Sequence, residues 1–193
     1  MGVTVKEKLK GSFDLVFMFG RGIEPFEKDK SMAAGLKSLW ICAILFPFGL
    51  VSAWLWPPED LKTVAKPQVL LTLTGETIVG MATSFLVLWL GAIALDRRDR
   101  FWLTFQASNW VGIPLSLIGL PFVLLAASGW YPREKMDSIF TILTCYSFLV
   151  SACVCYRGLK INWELAGFLA CFGYVIGKAI QDLADTLNGV PHL

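Results

Sequence analysis

Glu76 and Lys178 are the two ionisable residues set most clearly inside apolar sequence, and an unpaired charge at such depth is costly. Helical rise from the nearest charged turns brings them to matching depths: Glu76 lies ~30 Å from Arg97 and Lys178 lies ~21 Å from Glu164. The match predicts that carboxylate and ammonium approach one another or share a polar partner, both facing the bundle. Separate snorkelling to headgroups and a coupling-ion or proton site are the alternatives. Asn109, ~12 Å along its helix from Phe101, is the third candidate, either for an interhelical hydrogen bond or for contact with a solute. Other chemistry lacks its ingredients. Cys42, Cys145, Cys153, Cys155 and Cys171 sit in apolar runs without a C-x-x-C, and the single histidine is His192, so neither a metal nor a cofactor is expected. H-E-x-x-H, G-x-S-x-G and the phosphate-cradling glycine loop are missing, and Gly20-Arg21-Gly22 lacks a third glycine, so catalysis is not expected. The carboxylate pairs Glu59/Asp60 and Asp96/Asp99 stand beside Lys or Arg in short loops, as solvated charges do.

The elements that must position these residues follow from the distribution of charge. Of 193 residues, 55% are apolar and 17% charged, and the mean hydropathy of +0.61 comes from long uncharged runs between short charged clusters. That pattern predicts an all-α polytopic transmembrane bundle and excludes disorder. A net charge of +2 without a basic face gives no footprint for nucleic acid. The runs predict five transmembrane helices at 39–56, 69–95, 101–130, 138–156 and 161–180. The first is kinkable at Pro47 and the third carries Pro114 and Pro121, which neighbouring helices accommodate in a membrane. Together these form a transmembrane domain over 39–188, preceded by an amphipathic arm at 1–38 and followed by a tail at 189–193.

Orientation follows from Lys and Arg in the connections. Twelve lie on the side holding the N-terminus and five on the other, so the N-terminus is expected in the cytoplasm and the C-terminus across the membrane. Trp40, Trp102 and Trp163 on one side, and Trp54, Trp56 and Trp130 on the other, fall at the expected boundaries. No secretory signal is expected, because the short apolar cluster at 13–19 contains Asp14 and no cleavage site follows it. In the arm, Phe13, Val16 and Phe17 form an apolar face behind Lys6, Lys8 and Lys10. That segment is expected on the inner surface, docked on the protein itself, anchored in anionic lipid or bound to a partner.

Helices associate in lipid through small residues and interhelical hydrogen bonds, since apolar side chains gain nothing by leaving apolar tails. Stripes of such residues predict the packing faces: Gly80 and Ser84 in the second span, Gly112 and Ser116 in the third, Ser147 and Ser151 in the fourth, Gly167 and Cys171 in the fifth. The same stripes read alternatively as a polar route. Ile180, Leu183, Ala184 and Leu187 continue an apolar face toward the C-terminus, fit for self-packing or a partner.

Several local patterns resemble a known family. The run Gly22, Ile23, Glu24, Pro25, Phe26, Glu27, the Lys37-Ser-Leu-Trp approach to a span containing Pro47, an Arg-rich turn, Ala107-Ser-Asn-Trp110, Leu120-Pro121 and Arg157-Gly-Leu-Lys160 are similar to bacterial Yip-like (Ypt-interacting-protein-like) five-span membrane proteins. The resemblance covers roughly 22–185 and implies five helices, a cytoplasmic N-terminus and a bacterial inner membrane. The expected function is that of a non-enzymatic accessory, scaffold or assembly subunit in contact with the bilayer and with other membrane subunits or further copies of itself. The alternative is a small-solute or lipid transporter whose route is lined by Glu76, Asn109 and Lys178.

Overall fold

The computed structural model describes residues 3–55 and 66–187. The expected tail at 189–193, Trp56, the loop pair Glu59 and Asp60, and His192 lie outside the described residues, as do the side chains of Trp54 and Glu76. Among the described residues the chain is helical without strands: α1 (Val5–Val16), α2 (Glu24–Glu27), α3 (Met32–Lys37), α4 (Leu39–Leu55), α5 (Lys66–Ala94), α6 (Phe101–Ala127), α7 (Arg133–Leu159) and α8 (Trp163–Leu187). Five of the described helical segments, ending with that of α8, are long and apolar enough to cross a membrane. The all-α bundle expected from the sequence is therefore the observed fold.

Helix ends differ from the uncharged runs for a physical reason. Lipid tolerance sets where charge stops, whereas caps set where a helix stops. Thus α7 begins at Arg133, directly after Pro132, and takes in Glu134, Lys135 and Asp137 before its apolar run. It ends where Lys160 adopts left-handed backbone (φ 54°). Asn162 starts α8 by accepting the Leu165 N–H at 3.0 Å, so α8 begins at Trp163 rather than at 161. Gly129, at φ 70°, follows the end of α6, which stops at Ala127. Such a φ suits a residue without Cβ.

Around the bundle the neighbours run α4, α6, α7, α8, α5, with α1 laid across α6 and α7. The end formed by the arm, the 95–100 turn and the 160–162 turn is the arm end. Most of the buried residues gather there, in two clusters. In the first, Leu15, Val16, Ile23 and Phe26 of the arm pack with Leu103, Ala107, Trp110, Val150 and Val154. In the second, Phe101 stands within 4.8 to 5.8 Å of the rings of Phe85, Trp89, Trp102 and Phe105, above Leu159 and Ala166. Beyond this end the helices show apolar side chains outward, among them Ile44, Leu117, Leu124 and Ile142, with Ala126 and Met136 buried near the far end. Outward apolar side chains suit a chain whose solvent there is lipid.

The arm docks by the small-residue side of α1. A capping box starts α1, with Thr4 N–H donating to Glu7 Oε2 at 2.8 Å and Glu7 N–H to Thr4 Oγ1 at 3.3 Å. Its buried side is Lys8, Gly11, Ser12, Leu15 and Val16, whereas Phe13 and Phe17 are exposed. Of the apolar face Phe13, Val16 and Phe17, only Val16 is buried in the protein. The reason is close approach: a Cβ on Gly11 would lie 2.7 Å from the Gly22 carbonyl oxygen, so the turn at Gly20–Ile23 folds back onto the small-residue side of α1. Leu15 and Val16 flank that side and go inward with it.

Candidate functional site

Arg100 is the hub of the arm end. It ends the turn Arg98–Arg100 and is 5% exposed. Its Nε donates to the Gly158 carbonyl, its Nη2 to Glu27 Oε1 at 2.6 Å and, at 3.4 Å, to the Arg157 carbonyl. One side chain thereby joins the start of α6, the arm, and the last turn of α7, whose carbonyls have no intrahelical partner. Lys160 Nζ stands 3.5 Å from the same Glu27 oxygen. The hydrogen bond from Arg100, helped by charge on Arg100 and Lys160, outweighs partial burial and holds the Glu27 carboxyl below the ordinary carboxylate range. Thr104 Oγ1 donates to the Arg100 carbonyl at 2.9 Å and packs on Gly158, where a Cβ would collide with it.

Two further contacts fasten the arm to α6. Gln106, fully buried, donates from Nε2 to the Asp29 carbonyl at 3.3 Å, while its Oε1 has no partner among the described residues. Lys8 Nζ donates to Asp29 Oδ2 at 3.0 Å and Ser31 to Asp29 Oδ1 at 2.9 Å. Burial pushes the Asp29 carboxyl up, but the bonds from Lys8 and Ser31 prevail and its pKa is lowered. Asn109 donates from Nδ2 to Ser38 Oγ at 2.7 Å and accepts from Cys42 Sγ at 3.6 Å. Ser38, in turn, donates to the Gly35 carbonyl at 2.6 Å. Across α7, Tyr146 donates its hydroxyl to the Val16 carbonyl at 2.7 Å.

The predicted site residues distribute as follows. Asn109 faces the junction of α3 and α4, so its polar group joins helices. Lys178 forms an ion pair with Asp182 one turn on in α8 at 2.9 Å, both about half exposed. Gly112 approaches α4 closely, since a Cβ there would meet Leu45 Cδ1 at 2.9 Å. Ser116 and Ser147 are partly buried, Ser84, Ser151 and Cys171 are exposed, and a Cβ on Gly80 or Gly167 would meet nothing within 4 Å. Glycines in close contact elsewhere are Gly35 against Trp102 and Gly91 against Leu169.

Sequence reasoning passed over Arg100, Glu27, Gln106, Asp29 and Tyr146. Gln106 carried a signal, being an amide within an uncharged run; Arg100 was masked by its neighbours Arg97 and Arg98, which are exposed. No group of His, Cys, Asp and Glu suited to a metal occurs among the described residues. No protein-family model matches the chain, and no curated protein or solved structure matches it either.

Proposed function

We propose that this chain is a non-enzymatic integral membrane protein that acts by contact, as an accessory or assembly subunit of a membrane complex, with its N-terminus in the cytoplasm. The observation that carries this reading is the use made of Asn109. A solute route through the third span needs that amide facing a path, and its two ends are engaged by Ser38 and Cys42. Lys178 is likewise engaged, by Asp182. The excess of Lys and Arg on the arm side supports the orientation, and five long apolar helices among the described residues support a multi-pass membrane protein.

Isolation in a mild detergent at native expression tests the proposal. A subunit brings down a membrane protein at fixed stoichiometry, and the pair separates when the exposed arm residues Phe13 and Phe17 are changed to Ser. A solitary protein whose reconstituted vesicles pass a small solute, with flux abolished in Glu76→Gln, would replace this reading by transport.

A further inference from the structure

A cavity of about 680 Å³ opens at the arm end, between the arm and the turn joining α7 to α8. Its lining includes Met18, Tyr156, Arg157, Asn162, Trp163 and Glu164. A second, of about 490 Å³, shares Tyr156 and Arg157 and reaches Glu27 and Lys160. Arg157 thus borders both. It lies over the Tyr156 ring at 5.1 Å, and that ring meets Trp163 edge-on at 5.6 Å. Unlike Arg100, Arg157 forms no ion pair with a carboxylate among the described residues, and its Nε is buried without a hydrogen-bond partner. A half-buried planar fork of donors that faces no carboxylate and has its Nε unpartnered is a receptor for an oxyanion such as phosphate.

Two neighbours extend that chemistry. Asn162 uses its Oδ1 on the Leu165 N–H, which leaves its amide N–H groups as donors beside the positive N-terminal end of α8. Glu164 is exposed and lines the same cavity, adding a carboxylate that disfavours a plain anion but accepts hydrogen bonds from an ammonium. Tyr156 and Trp163 are the aromatic types that settle at the headgroup level of a bilayer. Because Met18 belongs to the arm, an occupant touches arm, α7 and α8 together.

We infer that this cavity binds a phosphate ester carrying a primary ammonium, the headgroup of an ethanolamine phospholipid, with phosphate on Arg157 and Asn162 and ammonium on Glu164. The inference goes beyond the contact role proposed above and does not depend on it.

Native mass spectrometry of the purified full chain, titrated with phosphatidylethanolamine, phosphatidylglycerol or phosphatidylcholine, reads it directly. The ethanolamine lipid is expected to be retained several-fold over the other two. Arg157→Gln should weaken it roughly tenfold, as loss of a charge-assisted contact does, and Arg157→Lys should recover part of that. Glu164→Gln should erase the preference for ethanolamine while phosphatidylglycerol still binds. Equal retention of the three lipids by the wild type, preference for phosphatidylglycerol, or an unchanged ethanolamine preference in Glu164→Gln would each overturn the site. Glu164 is exposed, so that variant stays decisive even if Arg157→Gln does not fold. Competition with soluble O-phosphoethanolamine separates the sources: displacement assigns the headgroup alone as sufficient, and retention of the lipid assigns the membrane-borne ester.

Discussion

Replacing Arg100 by Met removes the guanidinium that ties the arm to α6 and α7 while keeping most of the side-chain volume. The partners size the loss. Glu27 retains Lys160 at 3.5 Å and has 31% of its side chain in solvent, so stranding it costs well under the ~3–5 kcal/mol of a fully buried pair cut in half; ~1–2 kcal/mol is appropriate. The Gly158 carbonyl is buried and loses its donor, which adds ~1–2 kcal/mol. A total near 3 kcal/mol lowers the melting temperature by roughly 6–12 °C for a domain of this size class. Thermal unfolding in detergent, followed by tryptophan fluorescence, measures it, and limited trypsin digestion reports whether cleavage within residues 1–38 accelerates. Combining Arg100→Met with Glu27→Gln should cost less than the two separate losses added, by ~1.5 kcal/mol or more, because the pair contributes only once. A melting temperature within about 2 °C of wild type, together with unchanged digestion, would refute the claim that this network holds the arm.

The remaining predictions concern the same end of the bundle. Because Arg100 holds the folded-state pKa of Glu27 below its ordinary value, the associated stability is complete above the ordinary glutamate range and is lost as pH falls through the depressed folded value. Melting temperature against pH should therefore fall more steeply for wild type than for Glu27→Gln, the curves converging in acid; parallel curves would deny the linkage. Gly158→Ala places a methyl against Thr104 Oγ1 and 2.7 Å from its Cγ2 and should cost ~1–3 kcal/mol by overpacking, with Thr104→Ala restoring part; an unaltered melting temperature would show that the α6–α7 contact yields freely. Tyr146→Phe removes one hydrogen bond to the Val16 carbonyl and should cost ~1 kcal/mol, seen as faster proteolysis of the arm, whereas wild-type kinetics would mean the hydroxyl contributes nothing to docking.

The membrane-crossing architecture was legible because lipid imposes one demand, length of uncharged helix, that a single sequence displays directly. What the arm does was less legible. Its aromatic side, Phe13 and Phe17, is the stronger hydrophobic signal, yet the docked side is decided by Gly11 and Gly22, whose contact spans a turn that no helical periodicity encodes. Asn109 stood out as a polar residue in an apolar run, and its partner Ser38 did not, since one more serine beside a span carries no distinguishing mark. Lys178 stood out too, and one partner, Asp182, lies one turn away on its own helix, an i, i+4 relation open to reading from the sequence. Glu27 and Arg100 lie far apart along the chain, and only the fold brings them to 2.6 Å.

The order of these contacts explains why the arm and the third span belong to one structural unit. Glu27 meets Arg100, the Asp29 carbonyl meets Gln106, and Ser38 meets Asn109, so residues taken in order along the arm meet residues taken in order from the turn before α6 into that helix. Without the arm, Arg100 would keep its carbonyl acceptors on α7 but lose its counter-charge, and the amides of Gln106 and Asn109 would lose their partners where unsatisfied groups cost most. With it, each has a partner fixed by position, and slipping the arm along α6 by one turn would break all of the pairings together. Apolar packing of Leu15, Val16 and Phe26 brings the arm close but sets no register, because such contacts are non-directional. Register comes from the polar ladder, in which Asn109, an amide in an apolar run, is the rung that Ser38 meets at 2.7 Å.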